Sequence, residues 1–582
     1  MKKLTLIICF ILLFPTIGLT TTYYYSTSGS DASGDATNYT TPYKTLAKLE
    51  TTLANGTHKH LLLCGDTWDT ADERGAGGTI SITEAGTDTD NRLVIGAYKA
   101  DGSQVTSSNL CPGDLPQISR GSDAWPDTDG PADDDPTSVI ELLKADYTTI
   151  EYIWFDDIYS WGIQSPWNGG NTTIDTIIQH CKFTDIWQQA FSGNRVATVT
   201  FSNNIIQGAL LVWATDADCR YDSGPGAAID CNWGCTNFTV SDNWIDESFG
   251  EGIGFYNTDQ DSPYPGAPNN SAIIQDNFVG ATRSSAIHAT GWQSLMVQRN
   301  LLIMHNSGGN YTYFRGQPGS GALTSAGVCD VDEVKASNGI DLLTGNLGSG
   351  YSETYGPLTV MNNFVSGHGA QNATYSASYP SDPPSPGIQV YSDVNQLGSQ
   401  TMLNTKIYNN TVVDAGACFR LHDEDELGSG NQFRNNICYL TGDCTECVDY
   451  YQTYKDIDTW TRSNNFWSTN PVASEYDGTD DVYQDVVGAP GLETTTGFYF
   501  PATNSTLDAT DFKLTVGSVC IDSGTDLGTY PTDAWARDYW LTNKDSYTPW
   551  DIGAHEYDAA TPPGDPAIVP FFGAAGEGCR LN

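Results

Sequence analysis

An imidazole and a carboxylate, His288 and Asp341, form the pair in this sequence best suited to acid/base chemistry. Each follows the apolar residue that opens a short β-run, Ile287 and Ile340. If successive β-runs stack, the two side chains point outward on neighbouring coils, about 4.8 Å apart. A carboxylate at that distance fixes the tautomer of an imidazole and raises its pKa. We therefore predict His288 as the acid/base group and Asp341 as its partner or as a metal ligand.

Other residues of the same predicted face are suited to binding a polymer. Arg420 and Lys335 would supply cations for an acidic sugar, and aromatic rings stack well on sugars. We predict catalytic roles for Arg420 and Lys335 beside the pair. The predicted substrate-binding residues are Tyr256, Tyr313, Arg315, Tyr391 and His422.

Two further groups of residues are candidates for chemistry. His305 and His368 both lie five residues after a recurring turn Asn, and Arg283 lies six after another, so these three form an alternative site. Asp127, Asp129 and Asp133 surround a Gly turn, and carboxylate oxygens on a loop are what Ca²⁺ requires. We therefore expect calcium as a possible cofactor, although no complete twelve-residue calcium loop is present and solvated acidic loops are common.

The elements that would position these residues recur from about residue 139. A β-run ends in Asn, apolar residues follow, and a Gly-rich turn leads to the next β-run, as in Phe238–Ile245, Ala272–Val279 and Leu358–Val365. Such repeats indicate stacked units that cannot bury their apolar faces alone. A fixed turn Asn suits a parallel β-helix, in which Asn side chains bond along the axis. A β-sandwich with Asn turns is the alternative, but hairpin spacing is not evident.

Aligning the repeats on the turn Asn gives a predicted outward row and a second row two residues further on. The first contains Gly254, His288, Asp341, Gln389 and Arg420, and the second contains Tyr256, Thr290, Leu343, Tyr391 and His422. The longest departures from the repeat, 306–338 and 370–386, flank Asp341. Because function in repeat folds gathers where loops lengthen on one face, we predict a groove between these insertions.

Both ends of the chain resemble secreted right-handed parallel β-helix proteins of the pectate-lyase-like superfamily. The resemblance rests on Tyr23–Asp31, Pro42–Leu46, the Asn-bearing coils, Gly517–Gly524 and Asp551–Tyr557. It implies an all-β, single-stranded, right-handed parallel β-helix with a short N-terminal helical cap near 43–54 and loop insertions. It implies little about chemistry, because the superfamily holds lyases, hydrolases, epimerases and inert surface proteins.

Composition limits the partners. Lys and Arg number 26 against 71 Asp and Glu, for a net charge of −45. No basic patch dominates such a field, so nucleic acid is excluded as a partner, and anionic membrane surfaces are disfavoured. The charge also argues mildly against a polyanionic substrate unless Ca²⁺ bridges it.

Beyond the N-terminus, no segment approaches the 18 apolar residues that a membrane-spanning helix needs. We also expect the protein to be a monomer.

The N-terminus predicts export. Lys2 and Lys3 precede the apolar run Leu4–Phe14 and a segment of small residues, which is the pattern of a signal peptide. We divide the chain into a signal peptide (1–20), an N-terminal cap with first coils and an acidic insertion (21–138), the β-helix (139–557) and a Pro/Gly-rich tail (558–582). The protein is expected outside the cell or at its surface.

Cysteine usage agrees with an oxidising compartment. The chain has 14 Cys; setting aside Cys9 in the signal peptide and Cys579 in the tail leaves twelve, enough for six bridges. Local bridges are predicted within Cys219, Cys231 and Cys235, and within Cys438, Cys444 and Cys447. Zinc is the alternative for these clusters, but no His lies at ligand spacing.

Two functions follow from these observations. The first is a polysaccharide-processing enzyme, either a lyase that abstracts a proton beside a uronate or a hydrolase with paired acids. The second is a non-catalytic adhesion, structural or carbohydrate-binding protein whose rod presents loops. A groove in which His288, Asp341 and Arg420 converge favours the enzyme.

Overall fold

Parallel strands dominate the chain and stack into three long sheets. The computed structural model describes residues 21–119, 138–210, 226–256, 271–303, 338–343, 353–366, 386–391, 400–422, 429–439, 446–448, 460–468, 478–483, 514, 518–527 and 550–554, with short gaps inside some ranges. Each coil contributes one strand to each sheet in turn, and all pairs between named strands are parallel. The predicted single-stranded right-handed parallel β-helix is confirmed.

Sheet A has thirteen strands and begins with the first strand of the described chain. Its strands are Thr22–Tyr25, Lys59–Leu63, Leu93–Tyr98, Thr148–Glu151, Ile174–Gln179, Ala197–Ser202, Thr239–Ser241, Ala272–Gln275, Leu295–Gln298, Leu358–Met361, Lys406–Tyr408, Gln432–Arg434 and Thr461–Ser463.

Sheet B also has thirteen strands, each of which follows a turn from sheet A. They are Thr67–Asp69, Gln117–Ser119, Trp154–Ile158, Lys182–Ile186, Ile205–Ala209, Trp244–Ser248, Phe278–Val279, Leu301–Ile303, Phe364–Ser366, Thr411–Val413, Ile437–Tyr439, Phe466–Trp467 and Val482–Tyr483.

Sheet C has eleven strands and carries the candidate site. They are Ile80–Ile82, Ile140–Leu142, Ile163–Ser165, Phe191–Asn194, Ala227–Asn232, Glu251–Tyr256, Ile287–Thr290, Ile340–Leu343, Pro386–Tyr391, Ala417–His422 and Glu446–Val448. A separate parallel pair joins Glu353–Tyr355 to Gln400–Met402.

One helix, Leu46–Leu53, covers the N-terminal end of the coils. Leu46, Leu49 and Leu53 are buried and join the main core, and Thr45 caps the helix because its hydroxyl oxygen accepts from the Lys48 amide at 3.1 Å. The predicted cap near residues 43–54 is therefore confirmed. No helix in the ranges given above is long and apolar enough to cross a membrane.

A ladder of buried Asn side chains runs along the turn between sheets A and B. Each Asn Oδ1 accepts from the backbone amide and the side-chain amide of the preceding coil's Asn, at 2.9–3.2 Å. The residue before each rung has φ between 52° and 58°, as at Asn203 and Asp242, and the chain turns there from sheet A into sheet B. The predicted turn-Asn stack is confirmed. Its rungs are Asn204, Asn243, Asn277, Asn300, Asn363, Asn410, Asn436 and Asn465.

We expect Asn363→Ala to destabilise the protein by about 3–5 kcal/mol. The Asn363 side chain accepts from the Asn300 amide at 3.0 Å and donates to Asn410 Oδ1 and the Val297 carbonyl, both at 3.0 Å. Its removal leaves several buried polar groups unpaired, at roughly 1–3 kcal/mol each. Urea unfolding measures the change, with exposed Asn91→Ala as the control, expected within about 0.5 kcal/mol. Equal midpoints for the two variants would contradict a structural role for the ladder.

Parts of the C-terminal region pack back onto the outer face of sheet B. Leu514, Cys520, Ile552 and Ala554 form an apolar cluster with residues of the later coils, including Phe364 and Phe466. Asn435 Oδ1 accepts from the Thr525 amide at 2.9 Å, which fixes this segment against the turn. The motifs Gly517–Gly524 and Asp551–Tyr557 therefore include residues that cover an apolar face of the coils.

The cysteine pairing differs from the prediction. Cys231 bonds Cys235 as expected, but Cys438 bonds Cys418 rather than Cys444 or Cys447, and Cys64 bonds Cys111. Cys181 and Cys520 are buried and unbonded, so not all of the twelve cysteines form bridges. Cys418 lies on sheet C and Cys438 on sheet B of the next coil, where coil stacking brings distant residues together. Sequence distance alone therefore misled the assignment.

Candidate active site

A continuous polar row runs along the outer face of sheet C. It comprises one residue from each of ten successive strands, and register aligns each with its neighbours. The predicted part, from Gly254 to Arg420, is confirmed in register. The structure extends it towards the N-terminus. The polar row is Ser81, Glu141, Gln164, Ser192, Asp230, Gly254, His288, Asp341, Gln389 and Arg420.

His288 and Asp341 contact each other within the described row. Their strands pair in register, and His288 Nδ1 lies 3.2 Å from Asp341 Oδ2. Both side chains are 12% exposed, and Ser285 Oγ lies 3.4 Å from the same carboxylate oxygen. Asp341 Oδ1 is buried and has no hydrogen-bond partner among the described residues. The predicted contact is thus present, and one carboxylate oxygen remains for another group; the catalytic role stays a prediction.

Glu251 is a third ionisable member of this cluster, and sequence reasoning missed it. The residue is 3% exposed, and its Oε1 lies 3.8 Å from His288 Nδ1. Its Oε2 accepts a hydrogen bond from the Tyr256 hydroxyl. Gly254 makes this contact possible, because a Cβ there would lie 2.7 Å from the Tyr256 hydroxyl oxygen. Glu251 and Asp341 therefore approach the same ring nitrogen, Nδ1 of His288, and the three side chains form a carboxylate–imidazole–carboxylate arrangement around it.

Tyr256 serves this arrangement from a buried position. It is 2% exposed, its ring lies 5.4 Å from that of His288, and its hydroxyl bonds Glu251. The sequence predicted a sugar-binding role for this side chain. The contacts place its hydroxyl on Glu251, and the sugar-binding role stays a prediction.

Asp230 precedes this cluster in the row and is also a residue that sequence reasoning missed. It is 3% exposed, and Gln189 Nε2 lies 3.5 Å from its Oδ2. Burial raises the pKa of Asp230 to about 8, and the neighbouring Glu251 carboxylate contributes to the rise. Asp230 therefore holds a proton at neutral pH. The sequence could have indicated Asp230, because it is an acidic residue at an outward position of its β-run.

Opposing influences determine the charge on His288 and Glu251. Burial disfavours the imidazolium, but the carboxylates of Glu251 and Asp341 outweigh it and raise the pKa of His288 to about 9. Burial raises the pKa of Glu251, while His288 and the Tyr256 hydroxyl oppose that rise. At neutral pH the cluster thus contains an imidazolium whose Nδ1 faces two carboxyl groups.

We expect the free energy of unfolding to fall between about pH 6.5 and pH 9. His288 binds its proton more tightly when folded, so its contribution is complete below the unfolded pKa and is lost as pH rises through the folded pKa. That loss is on the order of 3 kcal/mol. Glu251 and Asp230, whose pKa values are also raised, act with the same sign. Urea unfolding across this range measures the slope, which His288→Gln should reduce; the same slope in both proteins would contradict the assignment.

Arg420 lies apart from the pair, at the far end of the described row. It donates from Nη1 to Gln389 Oε1 at 2.9 Å, and Gln389 separates it from Asp341 in register. Two coils correspond to about 10 Å. Arg420 therefore lies about two coils from Asp341, and its predicted catalytic role stays a prediction.

The remaining predicted site residues lie outside what the structure describes. These are Lys335, Tyr313, Arg315, Arg283, His305, His368, Asp127, Asp129 and Asp133, together with the side chains of Tyr391 and His422. Register does place Tyr391 beside His422 in the second outward row. Within the described ranges, no group of three His, Cys, Asp or Glu residues is arranged to hold a metal ion.

Comparison with known proteins yields likenesses of fold alone. No protein-family model and no curated protein sequence matches the chain. Among solved structures, the chain is similar to pectate lyase Pel9A, with 13% identity over 93% of this chain and 98% of that one and a TM-score of 0.45. A rhamnogalacturonan lyase matches with 12% identity over 81% and 91%, TM-score 0.38. PfbA, a surface adhesin of Streptococcus pneumoniae, matches with 10% identity over 72% and 80%, TM-score 0.39.

Proposed function

We propose that this protein is an enzyme that cleaves an extracellular polysaccharide by proton transfer at Glu251, His288 and Asp341. The observation that carries the proposal is the polar row with an imidazole whose Nδ1 lies 3.2 Å from an Asp341 carboxyl oxygen and 3.8 Å from a Glu251 carboxyl oxygen. A parallel sheet of many coils offers a long, regular surface, and an extended polymer matches that shape. Burying ionisable groups in such a surface is costly, and sites of catalysis are where that cost is commonly found.

The chemistry follows from the protonation states. His288 carries a proton at neutral pH and would donate it to the oxygen of the bond being broken, with the carboxylates fixing its orientation. Asp341 presents a buried carboxylate oxygen without a partner among the described residues, and that oxygen would accept a proton from water or from the sugar. A proton donor and a proton acceptor beside each other are what general acid/base catalysis requires.

The mature protein is proposed to act outside the cell or at its surface, as a monomer, after removal of residues 1–20. Calcium is retained in the proposal as a ligand of the acidic insertion at Asp127, Asp129 and Asp133. Nucleic acid is excluded on the net charge of −45.

A glycan screen with the mature chain tests the proposal. Uronic-acid and neutral polysaccharides are incubated with the protein, with Ca²⁺ or with a chelator, and scored for reducing ends and for the ultraviolet absorbance of unsaturated products. Cleavage that is lost in His288→Gln supports the proposal. Glycan binding without cleavage, or cleavage that survives His288→Gln in a folded protein, would replace it with the non-catalytic function or with another site.

A further inference from the structure

A second place on the polar row carries buried polar atoms that no described residue satisfies. We infer that Asp230 and Gln189 form a further sugar-binding position, which holds hydroxyl groups of the same glycan at a distance from the cleaved bond. The inference rests on the proposed function, because it extends the site at which that glycan is cleaved.

Asp230 and Gln189 face each other from neighbouring coils. Gln189 lies in the turn before Phe191–Asn194, which pairs with Ala227–Asn232, and its Nε2 is 3.5 Å from Asp230 Oδ2. The other oxygens, Asp230 Oδ1 and Gln189 Oε1, are buried and have no hydrogen-bond partner among the described residues. Turning the Gln189 amide over exchanges its two ends and still leaves one of them unpaired. Buried polar groups are almost always hydrogen-bonded, so two unpaired atoms in one place indicate a ligand.

Keeping Asp230 in this environment lowers stability at neutral pH. The residue is 3% exposed, and burial raises its pKa to about 8. The folded protein therefore holds a proton that the unfolded chain releases, and the free energy of unfolding falls as pH rises from the ordinary pKa of a carboxyl group towards the folded value. A side chain that costs stability and completes few contacts of its own points to binding rather than to folding.

The unpaired atoms fit hydroxyl groups. An amide oxygen such as Gln189 Oε1 accepts hydrogen bonds, whereas a carboxyl group that holds its proton both donates and accepts. A hydroxyl group also does both, so adjacent hydroxyls of a sugar can satisfy Asp230 and Gln189 together. A metal ion fits less well, because within the described ranges no three His, Cys, Asp or Glu residues come together to hold one.

Strand register places this position in line with the Glu251, His288 and Asp341 cluster. Asp230 pairs with Gly254, and Gly254 pairs with His288, so two coils separate Asp230 from His288. That separation is about 10 Å along the axis. An extended glycan that contacts His288 and follows the row towards the N-terminal coils therefore reaches Asp230.

Binding measurements on variants test the inference. His288→Gln serves as the parent so that bound glycans are not cleaved, and calorimetric titrations use neutral and uronic-acid oligosaccharides from disaccharides to octasaccharides. We expect affinity to rise with length in the parent. Asp230→Ala should lose that rise, so that the longest oligosaccharides bind about tenfold more weakly, the scale of one or two hydrogen bonds. Asp230→Asn keeps a group that donates and accepts, and should stay within about threefold of the parent.

Two further variants and a stability measurement complete the test. Gln189→Ala should weaken binding of long oligosaccharides to a similar degree, and the double variant should lose less than the product of the single losses, because both side chains hold one sugar. Asp175→Asn, on sheet A, should leave affinity unchanged. Urea unfolding of Asp230→Asn at neutral pH should give a midpoint no lower than that of the parent. A lower midpoint would assign Asp230 to the fold and overturn the inference.

The remaining outcomes separate this inference from the proposed function. Equal affinities in the parent and Asp230→Ala would mean that these atoms bind ordered water alone, and no affinity for any oligosaccharide of the set would equally overturn the inference. Unchanged affinity with turnover about a hundredfold lower, measured with His288 intact, would make Asp230 a catalytic residue instead. The expected binding pattern in a folded protein that cleaves no polysaccharide would overturn the proposed function and leave the sugar-binding position standing.

Discussion

Asp341→Asn is expected to lower turnover about a hundredfold or more on the glycan that the screen identifies. Removal of an acid/base group has an effect of this size. The substitution is nearly isosteric, and the strand Ile340–Leu343 keeps its backbone pairing to both neighbours. The amide retains one oxygen, but its NH2 group replaces a carboxyl oxygen and cannot accept a proton as a base. Steady-state kinetics and circular dichroism together separate lost catalysis from lost structure.

Asp175→Asn is the matched control for that experiment. Asp175 lies on sheet A and pairs with Arg92, so its amide variant loses a carboxylate on a different sheet from the polar row. We expect its turnover to stay within about twofold of the wild-type value, since the partner of Asp175 is Arg92 and not a member of the polar row. Full activity in a folded Asp341→Asn protein would move the site elsewhere, first to the turn that carries His305 and His368.

The repeat made most of the fold predictable. The strands have a period-2 pattern and each is followed by an Asn, so stacking the coils in register lets each Asn side chain bond the Asn of the next coil. The Asn residues from Asn243 to Asn410 do align as the sequence predicted. The same alignment placed His288 beside Asp341 across a gap of unrelated length. Register could be read because Ile287 and Ile340 each open their strand with a buried apolar residue.

Glu251 was missed because it breaks that regularity. Strict alternation from Ile253 places residue 251 on the inner face, yet its carboxyl group bonds Tyr256 and approaches His288 on the outer face. The glycines on either side, Gly250 and Gly252, are the feature of the sequence that could have indicated this irregularity.

Contacts between coils also depend on how the coils stack. The Cys418–Cys438 bridge therefore could not be predicted from the spacing of the cysteines in the sequence.

Glu251→Gln is expected to reduce turnover about a hundredfold and to move the alkaline limb of the pH–activity profile to lower pH. The Glu251 carboxylate is the largest influence that raises the pKa of His288. Its replacement by a neutral amide leaves burial opposed only by Asp341, so His288 loses its proton at lower pH. If His288 is the acid, activity then falls at that lower pH. Nuclear magnetic resonance titration of the imidazole measures the shift directly.

Tyr256→Phe separates the charge of Glu251 from its positioning. The variant removes the hydroxyl that bonds Glu251 but keeps the carboxylate beside His288. Turnover should fall by a smaller factor, about tenfold, because the acid/base groups remain and only their orientation loosens. The alkaline limb should stay near the wild-type position, since the charge that raises the His288 pKa is still present.

For Glu251→Gln, an alkaline limb at the wild-type position would contradict the prediction. It would show that Glu251 does not control the pKa of His288, and the carboxylate–imidazole–carboxylate arrangement would then be structural.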